Sequence, residues 1–447
     1  MLEQYAPGLN LENFKILQPS NEKTSELQPT FNLSIFTQFY PPDYAATGQL
    51  IEELATQLGR LGIHVQVFTG QPGYAFRKDS APAKERLNRV SVQRSRTSRL
   101  CPARIRGKAI NGLLFFLRCV LHVFKNSGKK DILLLTSAPP FLPIVGYIAK
   151  LFFGTPYICL LYDLYPDVAV ELNLVSSKNW LVKAWDWINK QVWKKADGLI
   201  VLSSTMKERV QTKCPEVSDK ISIIHNWANP NWIVPIAKQK NWFALKYDLV
   251  KKFIVLYSGN MGRCHEMDTI LEAAFQLQNE PIQFVFIGGG AKRQICIEQV
   301  KKLGLTNCQF LPYQDKQDLP YSLTACDLSL VSISSGMEGI VAPSKLYGIL
   351  AAGRPVAAIC ESNSYLRSLL SEANCGAAFS NGDADGLVMF IRRLANDRYL
   401  AEQMGDAGRR YLQSNFTPEI IAKQYSKVLS TAVEIQKSKA EAKSKLR

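Results

Sequence analysis

The sequence lacks the short motifs that mark several large enzyme classes. It has no G-x-G-x-x-G and no G-x-x-x-x-G-K-[ST], which weakens the case for a dinucleotide oxidoreductase or a P-loop NTPase. Its ten cysteines are scattered without a C-x-x-C pair, and its four histidines show no metal-ligand spacing. We therefore expect reduced thiols, no metal site and no cofactor.

The chain also lacks a clear export signal or membrane span. Residues 1–30 are polar and mixed in charge, without the apolar core of a secretion signal, and we expect a disordered extension there. The most apolar stretch, residues 141–161, is interrupted by Lys150 and Gly154, which favours a buried helix followed by a strand over a transmembrane helix. These features favour a cytoplasmic location.

What the sequence does contain is a repeated alternation of apolar strands and amphipathic helices, which is typical of parallel sheets with crossover helices. One set of strands is expected at residues 33–37, 65–69, 132–135, 157–162, 199–202 and 221–224. A second set is expected at residues 254–258, 283–287, 309–311, 328–333, 356–359 and 377–379.

This pattern predicts an α/β fold of two Rossmann-like, doubly wound domains that face each other across a cleft. The domains are expected at residues 31–228 and 253–417, with a linker at 229–252, a closing helix at 418–433 that returns to the first domain, and a charged tail at 434–447. Open α/β sheets bind ligands at the carboxyl ends of their strands, so the cleft is the expected site.

Two glycine-containing turns between a strand and a helix are candidate phosphate sites. They lie in YSGNMGRCHEMDTIL and in SSGMEGIVAPSKLYGILAAGRPV. Backbone N–H groups at the start of a helix favour anions, so the two turns predict one diphosphate site with Arg263 and Lys345 as its cations. Either turn could equally be structural.

Positive charge is concentrated in one part of the chain. The formal net charge is +16, and residues 77–108 hold eleven lysines and arginines against two acidic residues. An amphipathic helix is expected at 110–124, directly after this stretch, so the pair could contact an anionic membrane through cations such as Arg94, Arg96, Arg104 and Arg106. A core helix behind a solvated loop explains the same residues. Nucleic acid is not favoured, because no recognised binding module is present.

Five segments in order resemble family 4 glycosyltransferases of the colanic-acid and exopolysaccharide type. They are FTQFYPPDYAATGQLIEELATQLGRLGIHVQVFTGQPGY, YDLYPDVAVELNL, IIHNWANP, YSGNMGRCHEMDTI and APSKLYGILAAGRPV, and the likeness covers residues 31–428. The resemblance implies a GT-B fold, a nucleotide-sugar donor held mainly by the second domain, retention of anomeric configuration and no obligatory metal.

The resemblance also implies roles for particular residues. Gly48 would fall in a loop that approaches the donor diphosphate, Asp163 in the catalytic region on the acceptor side, and Glu338 near the donor sugar hydroxyls. Lys345 would neutralise the leaving diphosphate. The remaining residues of the expected diphosphate site are Gly259, Asn260, Arg263, His265 and Ser344.

Two departures from the family pattern affect the donor site. Asn260 and His265 stand where the family has arginine and lysine, so Arg263 and Lys345 would supply the missing charge. Gly348 stands where the family has a glutamate that binds the ribose, and this leaves the nucleotide's identity open.

Four aspartates have both a functional and a structural interpretation. Asp163 and Asp167 follow a predicted strand and could serve the acceptor side, although either could instead be a structural cap. Residues 383–385 spell the D-x-D of metal-dependent glycosyltransferases, but they precede a helix and are more typical of an N-cap.

The leading hypothesis is a retaining glycosyltransferase that moves a sugar from a UDP- or GDP-sugar to a lipid-linked or polysaccharide acceptor. Fixed cations and N–H dipoles can stabilise the charge that develops on a leaving diphosphate without a metal. The alternatives are a nucleotide-sugar epimerase of the same fold and a non-catalytic sugar-nucleotide binder at a membrane surface.

Overall fold

A computed structural model describes residues 31–43, 45–72, 81–87, 89–95, 105–126 and 131–445. The expected extension at 1–30 lies outside these residues. The first domain contains, in chain order, β1 (Asn32–Phe36), α1 (Ala46–Arg60), β2 (His64–Thr69), β3 (Lys84–Leu87), β4 (Val90–Arg94), α2 (Ile105–Lys125), β5 (Ile132–Thr136), α3 (Ile144–Phe153), β6 (Tyr157–Leu161), α4 (Asp167–Glu171), α5 (Trp180–Lys195), β7 (Gly198–Val201), α6 (Ser204–Lys213) and β8 (Ile221–Ile223).

The second domain follows with α7 (Trp242–Lys246), β9 (Phe253–Ser258), α8 (Asp268–Gln276), β10 (Ile282–Ile287), α9 (Arg293–Lys302), β11 (Cys308–Leu311), α10 (Leu319–Thr324), β12 (Leu328–Ser332), α11 (Lys345–Ala351), β13 (Val356–Ile359), α12 (Tyr365–Ala373), β14 (Gly376–Phe379), α13 (Ala384–Asn396) and α14 (Arg398–Asn415). The last helix is α15 (Pro418–Lys445).

The two sheets are doubly wound, as the strand and helix pattern predicts. The strand order is β3-β4-β2-β1-β5-β6-β7-β8 in the first sheet and β11-β10-β9-β12-β13-β14 in the second. All neighbouring strands are parallel except β3 and β4. The central strands are buried on both faces because helices cover both sides of each sheet. This arrangement confirms the predicted α/β, GT-B type of fold.

The structure of three stretches differs from what the sequence predicts. The basic stretch contains the antiparallel pair β3 and β4, which an irregular loop would not form. The expected linker contains α7, whose Phe243 and Ala244 pack into the core of the second domain. The expected frayed tail is helical as far as Lys445, because α15 extends well beyond residue 433.

Helix α15 returns to the first domain and packs against α1, as the sequence predicts. Gln57 of α1 donates to Glu419 over 3.1 Å. The linker backbone is held separately, because Arg409 of α14 donates 2.8 Å hydrogen bonds to the carbonyls of Ile233 and Pro230. These contacts fix how the second domain is attached to the first.

The most apolar stretch folds as expected, with α3 ending at Gly154 and β6 following. Gly154 has a left-handed backbone conformation, with φ 67°, and this conformation ends the helix. Glycine suits the position because residues with a side chain rarely adopt such a φ. Within the part of the chain that the structure describes, no helix has the length and apolar character needed to cross a bilayer.

Candidate active site

The two domains touch through the loop that follows β12. Leu164 N–H donates to the Ile340 carbonyl over 3.0 Å, and Asp163 forms a backbone bridge with Val341. Gly339 of this loop, at φ 72°, lies so close to the first domain that an added Cβ would sit 2.7 Å from the Thr205 carbonyl oxygen. The carboxyl ends of the two sheets therefore meet at residues 163–164 and 338–341.

Glu338 lies at this junction and is buried, with 6% of its surface exposed. Thr205 of α6 donates to its Oε1 over 2.7 Å, and Ser203 lies 3.1 Å behind the Thr205 hydroxyl. Its second oxygen, Oε2, is buried and has no hydrogen-bond partner among the described residues. Because an unpaired buried carboxylate oxygen is costly, this atom is suited to accept from a ligand hydroxyl.

Lys345, the first residue of α11, provides the matching positive charge. Its ammonium lies 3.6 Å from the ring centroid of Tyr257 and beside Gly259, where an added Cβ would be 3.7 Å from Nζ. Nζ is buried without a hydrogen-bond partner in the described part of the chain. Burial lowers the pKa of Lys345 to about 7. An anionic ligand would restore its charge, because an opposite charge favours the protonated form.

The loop after β9 lies against Lys345 and contains a histidine whose charge state follows from its contacts. His265 Nδ1 is 2.8 Å from the Ser332 carbonyl oxygen, so it carries the proton and donates there. Burial, together with the nearby Lys345 ammonium, lowers the pKa of His265 to about 3. His265 is therefore neutral and leaves Nε2 as an acceptor, which means that it does not replace the family's cation.

Other residues of the expected diphosphate site lie in the same loop. Asn260 and Arg263 are exposed on either side of Gly262, and Ser344 immediately precedes Lys345. A further cation, Lys292, donates to the His265 carbonyl over 2.6 Å. Lys292 is not among the residues predicted from the sequence, although its position after the three glycines that follow β10 is a usable signal.

Asp163 follows β6 and faces the same junction. The Asp163 side chain is exposed to solvent in the cleft. Because both domains surround it, it is also partly desolvated, and this desolvation raises the pKa of Asp163 to about 6. Its backbone N–H lies 3.3 Å from the Ser137 hydroxyl. Asp163 is therefore held by its backbone, which leaves the carboxylate available for a ligand.

Asp167, the second acidic candidate, has a structural role instead. It is buried at the start of α4, where it pairs with Arg209 over 3.2 Å and also with Lys213. Lys213 in turn pairs with Asp186 of α5 over 2.7 Å. Because these cations satisfy its carboxylate, Asp167 has a structural role in this domain, and its expected role on the acceptor side stays a prediction.

Two other predicted residues lie in regular elements. Gly48 lies in the first turn of α1, where an added Cβ would be 3.1 Å from backbone atoms of Phe39 and Tyr40, and its expected approach to the diphosphate stays a prediction. Arg94 is buried in β4, where it pairs with Glu85 and donates to the Pro41 carbonyl over 2.7 Å, so it cannot face a membrane.

The other three cations named for membrane contact cannot be placed by their side chains. Arg96 and Arg104 lie outside the described residues, and Arg106 is described only by its backbone in α2. Their expected contact with an anionic membrane surface stays a prediction.

The D-x-D at 383–385 acts as a helix cap, as the sequence analysis favoured. Asp383 accepts from the backbone N–H of Gly386 over 2.9 Å, and Asp385 accepts from Gln276 over 2.9 Å. Across the residues that the structure describes, no three acidic, histidine or cysteine side chains converge as a metal site would require.

Two family models match the chain, one on each domain. The model described as Glycosyltransferase Family 4 matches residues 47–232, and the model described as Glycosyl transferases group 1 matches residues 243–411. The boundary between them falls in the linker that Arg409 holds. The chain belongs to the family 4 glycosyltransferases. It is accordingly a transferase, as the five ordered segments predict.

Proteins with similar sequences carry glycosyltransferase names. The chain is 26% identical to the probable glycosyltransferase WbjE of Pseudomonas aeruginosa, over 67% of this chain and 74% of that protein. It is 30% identical to the putative colanic acid biosynthesis glycosyl transferase WcaI of Escherichia coli, over 39% of this chain and 42% of that protein.

Solved structures with the same fold cover both domains of this glycosyltransferase. Sucrose-phosphate synthase from Thermosynechococcus elongatus superposes with a TM-score of 0.71 at 19% identity, over 89% of this chain and 98% of that one. Anabaena HepE in complex with UDP-glucose superposes with a TM-score of 0.65 at 15% identity, over 90% and 100%. At these identities the likeness establishes the fold.

Proposed function

We propose that this glycosyltransferase moves a hexose, with retention of configuration and without a metal, from a nucleoside-diphosphate sugar to a lipid-linked or polysaccharide acceptor. The observation that carries the proposal is two buried groups of opposite charge, Lys345 Nζ beside the loop after β9 and Glu338 Oε2 at the domain junction, each without a protein partner among the described residues. A sugar diphosphate offers the two complementary groups, an anion and a set of hydroxyls.

The leaving diphosphate belongs at Lys345. Breaking the bond from the anomeric carbon to the phosphate oxygen places negative charge on the diphosphate, and a preorganised cation in a desolvated site lowers that barrier. Lys345 is already desolvated, so its attraction to the developing charge is stronger than it would be in water. This fixed charge supports chemistry that needs no metal ion.

The sugar and the acceptor belong on the other side of the junction. Glu338 Oε2 would accept from a sugar hydroxyl, while the Asp163 carboxylate would orient the acceptor hydroxyl. In a retaining transfer of this kind, the acceptor oxygen bonds to the anomeric carbon on the face that the diphosphate leaves. The acceptor proton then passes to the departing phosphate oxygen, so Asp163 need not become the nucleophile.

The names of the similar proteins support the choice of substrates. WcaI is named for colanic acid biosynthesis, and the Anabaena protein was solved with UDP-glucose. Both names favour a nucleotide-sugar donor and a surface-polysaccharide pathway. Because Gly348 cannot bind a ribose through a side chain, both uridine and guanosine nucleotides belong in the test.

A panel of UDP- and GDP-sugars, incubated with the full chain, lipid extract and a chelator, tests the proposal. We expect one donor to release nucleoside diphosphate and to give a glycosylated product whose anomeric configuration matches the donor. Lys345→Ala should slow release, whereas Lys302→Ala, at an exposed lysine of α9, should not. Epimerised donor without transfer, or no release from any donor, would contradict the proposal.

A further inference from the structure

An uncovered apolar surface lies on the first domain, outside the donor site. It is formed by the outer faces of α2, α3 and α5, which cover one side of the first sheet and pack in that order. Its exposed apolar side chains are Ile110, Leu113, Leu117, Leu121, Phe124, Leu151, Phe152, Phe153, Trp180, Leu181, Trp187 and Ile188. We refer to these residues as the three-helix face.

The α2 and α3 parts of the three-helix face are contiguous rather than scattered. The rings of Phe124 and Phe152 lie 5.5 Å apart, and those of Phe124 and Phe153 lie 5.1 Å apart, so α2 and α3 share one aromatic cluster. Leu121 is 68% exposed and Phe152 is 67% exposed. A continuous apolar surface of this kind marks an interaction site, whereas single exposed apolar residues are ordinary.

Helix α2 shows why burial in the protein core does not explain the pattern. Its inner face is filled by Phe115, Cys119 and Val123, which are buried against the sheet. Its outer face repeats apolar residues at helical spacing from Ile110 to Phe124, where a solvated helix would carry polar residues. The helix therefore presents apolar residues to the sheet on its inner side and exposes apolar residues on its outer side.

Positive charge surrounds this apolar surface. The three helices contain nine lysines and arginines but a single acidic residue, Asp186, which pairs with Lys213. Lys178, Lys183 and Lys195 are exposed on or beside α5. The exposed Trp180 and Trp187 lie among them, and tryptophan is enriched at the boundary between headgroups and acyl chains.

The C-terminal helix adds cations at one end of the surface. Gln436 of α15 donates to the Gly154 carbonyl over 2.9 Å, immediately after Phe153. The exposed Lys437 and Lys439 follow Gln436 in the same helix. A cationic border around an apolar centre matches anionic headgroups above acyl chains.

The opposite end of the surface reaches the cleft. Helix α2 follows β4 and its Gly112 lies against Pro139 and Phe141, in the turn at the carboxyl end of β5. The carboxyl ends of the strands are also where Asp163 lies, after β6. The surface thus runs from the catalytic edge of the sheet toward its far edge.

We propose that the three-helix face docks on an anionic lipid bilayer, with Leu121 and Phe152 in the acyl region and the lysines of α5 and α15 at the headgroups. Docking in this orientation would bring the cleft edge to the membrane surface. The proposal depends on the exposed surface alone and not on which sugar is transferred, so it can fail while the proposed function stands.

Vesicle sedimentation with the full chain tests the docking. We expect binding to vesicles of phosphatidylcholine and phosphatidylglycerol that weakens at high salt, because exposed charges are screened over about 8 Å at physiological ionic strength. Leu121→Ser with Phe152→Ser should lower the partition coefficient by roughly tenfold or more, since two buried apolar side chains are lost.

A matched control uses exposed apolar residues of the second domain. Ile295 is 54% exposed in α9 and Met389 is 65% exposed in α13. Replacing both with serine should leave vesicle binding unchanged, and both double variants should keep the thermal unfolding midpoint of the parent. Equal binding by the two variants, or no binding of the parent chain to anionic vesicles, would overturn the proposal.

Tryptophan quenching reports the orientation independently. Lipids brominated in their acyl chains should quench part of the tryptophan emission of the docked protein. That part should disappear in a Trp180→Phe, Trp187→Phe variant, because these exposed side chains lie on the docking face. Unchanged quenching would show that another surface binds. A second copy of the chain could also cover this face. If the parent chain self-associates but does not bind vesicles, and Leu121→Ser with Phe152→Ser abolishes that self-association, membrane docking is refuted.

Discussion

Donor binding should depend on pH through Lys345, and the structure sets the direction. In the free protein the Lys345 ammonium is desolvated and unpaired, which lowers its pKa to about 7. A bound diphosphate supplies the missing counter-charge and raises that pKa again. Binding above pH 7 therefore takes up a proton, and affinity should fall as pH rises.

The expected size follows from proton linkage. If the bound pKa returns toward the ordinary value of about 10.4, affinity falls by about tenfold for each pH unit above 7. Measurements between pH 7 and 9 avoid protonation of the phosphate, whose second pKa is about 6. The free protein should show the opposite trend in this window: the unfolded chain holds the Lys345 proton more tightly, so the free energy of unfolding rises with pH.

Calorimetry with UDP and GDP, in buffers of different ionisation enthalpy, measures both affinity and proton uptake. The wild type should take up about one proton near pH 9 and bind about a hundredfold more weakly than at pH 7. Lys345→Arg keeps a permanent charge and should flatten the profile, and Lys345→Met should bind weakly at every pH. A wild-type affinity independent of pH, with no proton uptake, would refute the role assigned to Lys345.

Three further variants test neighbouring parts of the site. Thr205→Val removes the donor to Glu338 Oε1 and should lower kcat/KM by about tenfold to a hundredfold, while Thr205→Ser keeps the hydroxyl and should restore activity; equal rates would contradict the positioning role. Asp163→Asn should abolish a rise in rate with pH through about 6, so a retained rise would assign that titration elsewhere. Gly48→Ala should destabilise the fold by about 1–3 kcal/mol in denaturant unfolding, because the new Cβ would press against backbone atoms. Gly59→Ala in the same helix is the control and should not destabilise the fold, because its new Cβ would have ordinary contacts at 3.5 Å. Equal stabilities of the two variants would contradict the close approach at Gly48.

Much of the fold could be predicted from the sequence, because buried parallel strands are continuous apolar runs. All twelve expected strands are present within one or two residues of their predicted ends. The strands that were missed, β3 and β4, lie at the edge of the first sheet. The residues of β3 are exposed and mostly charged, so hydrophobic periodicity cannot reveal them.

The predicted helix boundaries were wrong where tertiary contacts outweigh the local sequence pattern. Helix α7 has only five residues and was hidden in a stretch rich in proline and tryptophan, but Phe243 buries it in the second core. The end of α15 is charged and was expected to fray. Instead, Gln436 donates a hydrogen bond to the Gly154 carbonyl, and the helix continues past the exposed Ile435. Neither the burial of Phe243 nor the hydrogen bond of Gln436 can be predicted from a short window of sequence.

Site residues were predicted where a turn joins a strand to a helix, but their partners were not. Lys345 lies beside Tyr257 and Gly259, whereas Glu338 lies at the domain junction, where Asp163 bridges to Val341. Thr205 was missed because it is far from Glu338 in sequence and only the closed arrangement of the domains brings them together. Arg94 and Asp167 were assigned to the acceptor side because burial and ion pairing cannot be read from charge alone.

The most direct measurement of the central claim is a crystal structure of the full chain with an intact donor or its nucleoside diphosphate. The account predicts a phosphate oxygen within hydrogen-bond distance of Lys345 Nζ and, for the intact donor, a sugar hydroxyl at Glu338 Oε2. A diphosphate bound elsewhere, with both atoms still unpaired, would contradict it.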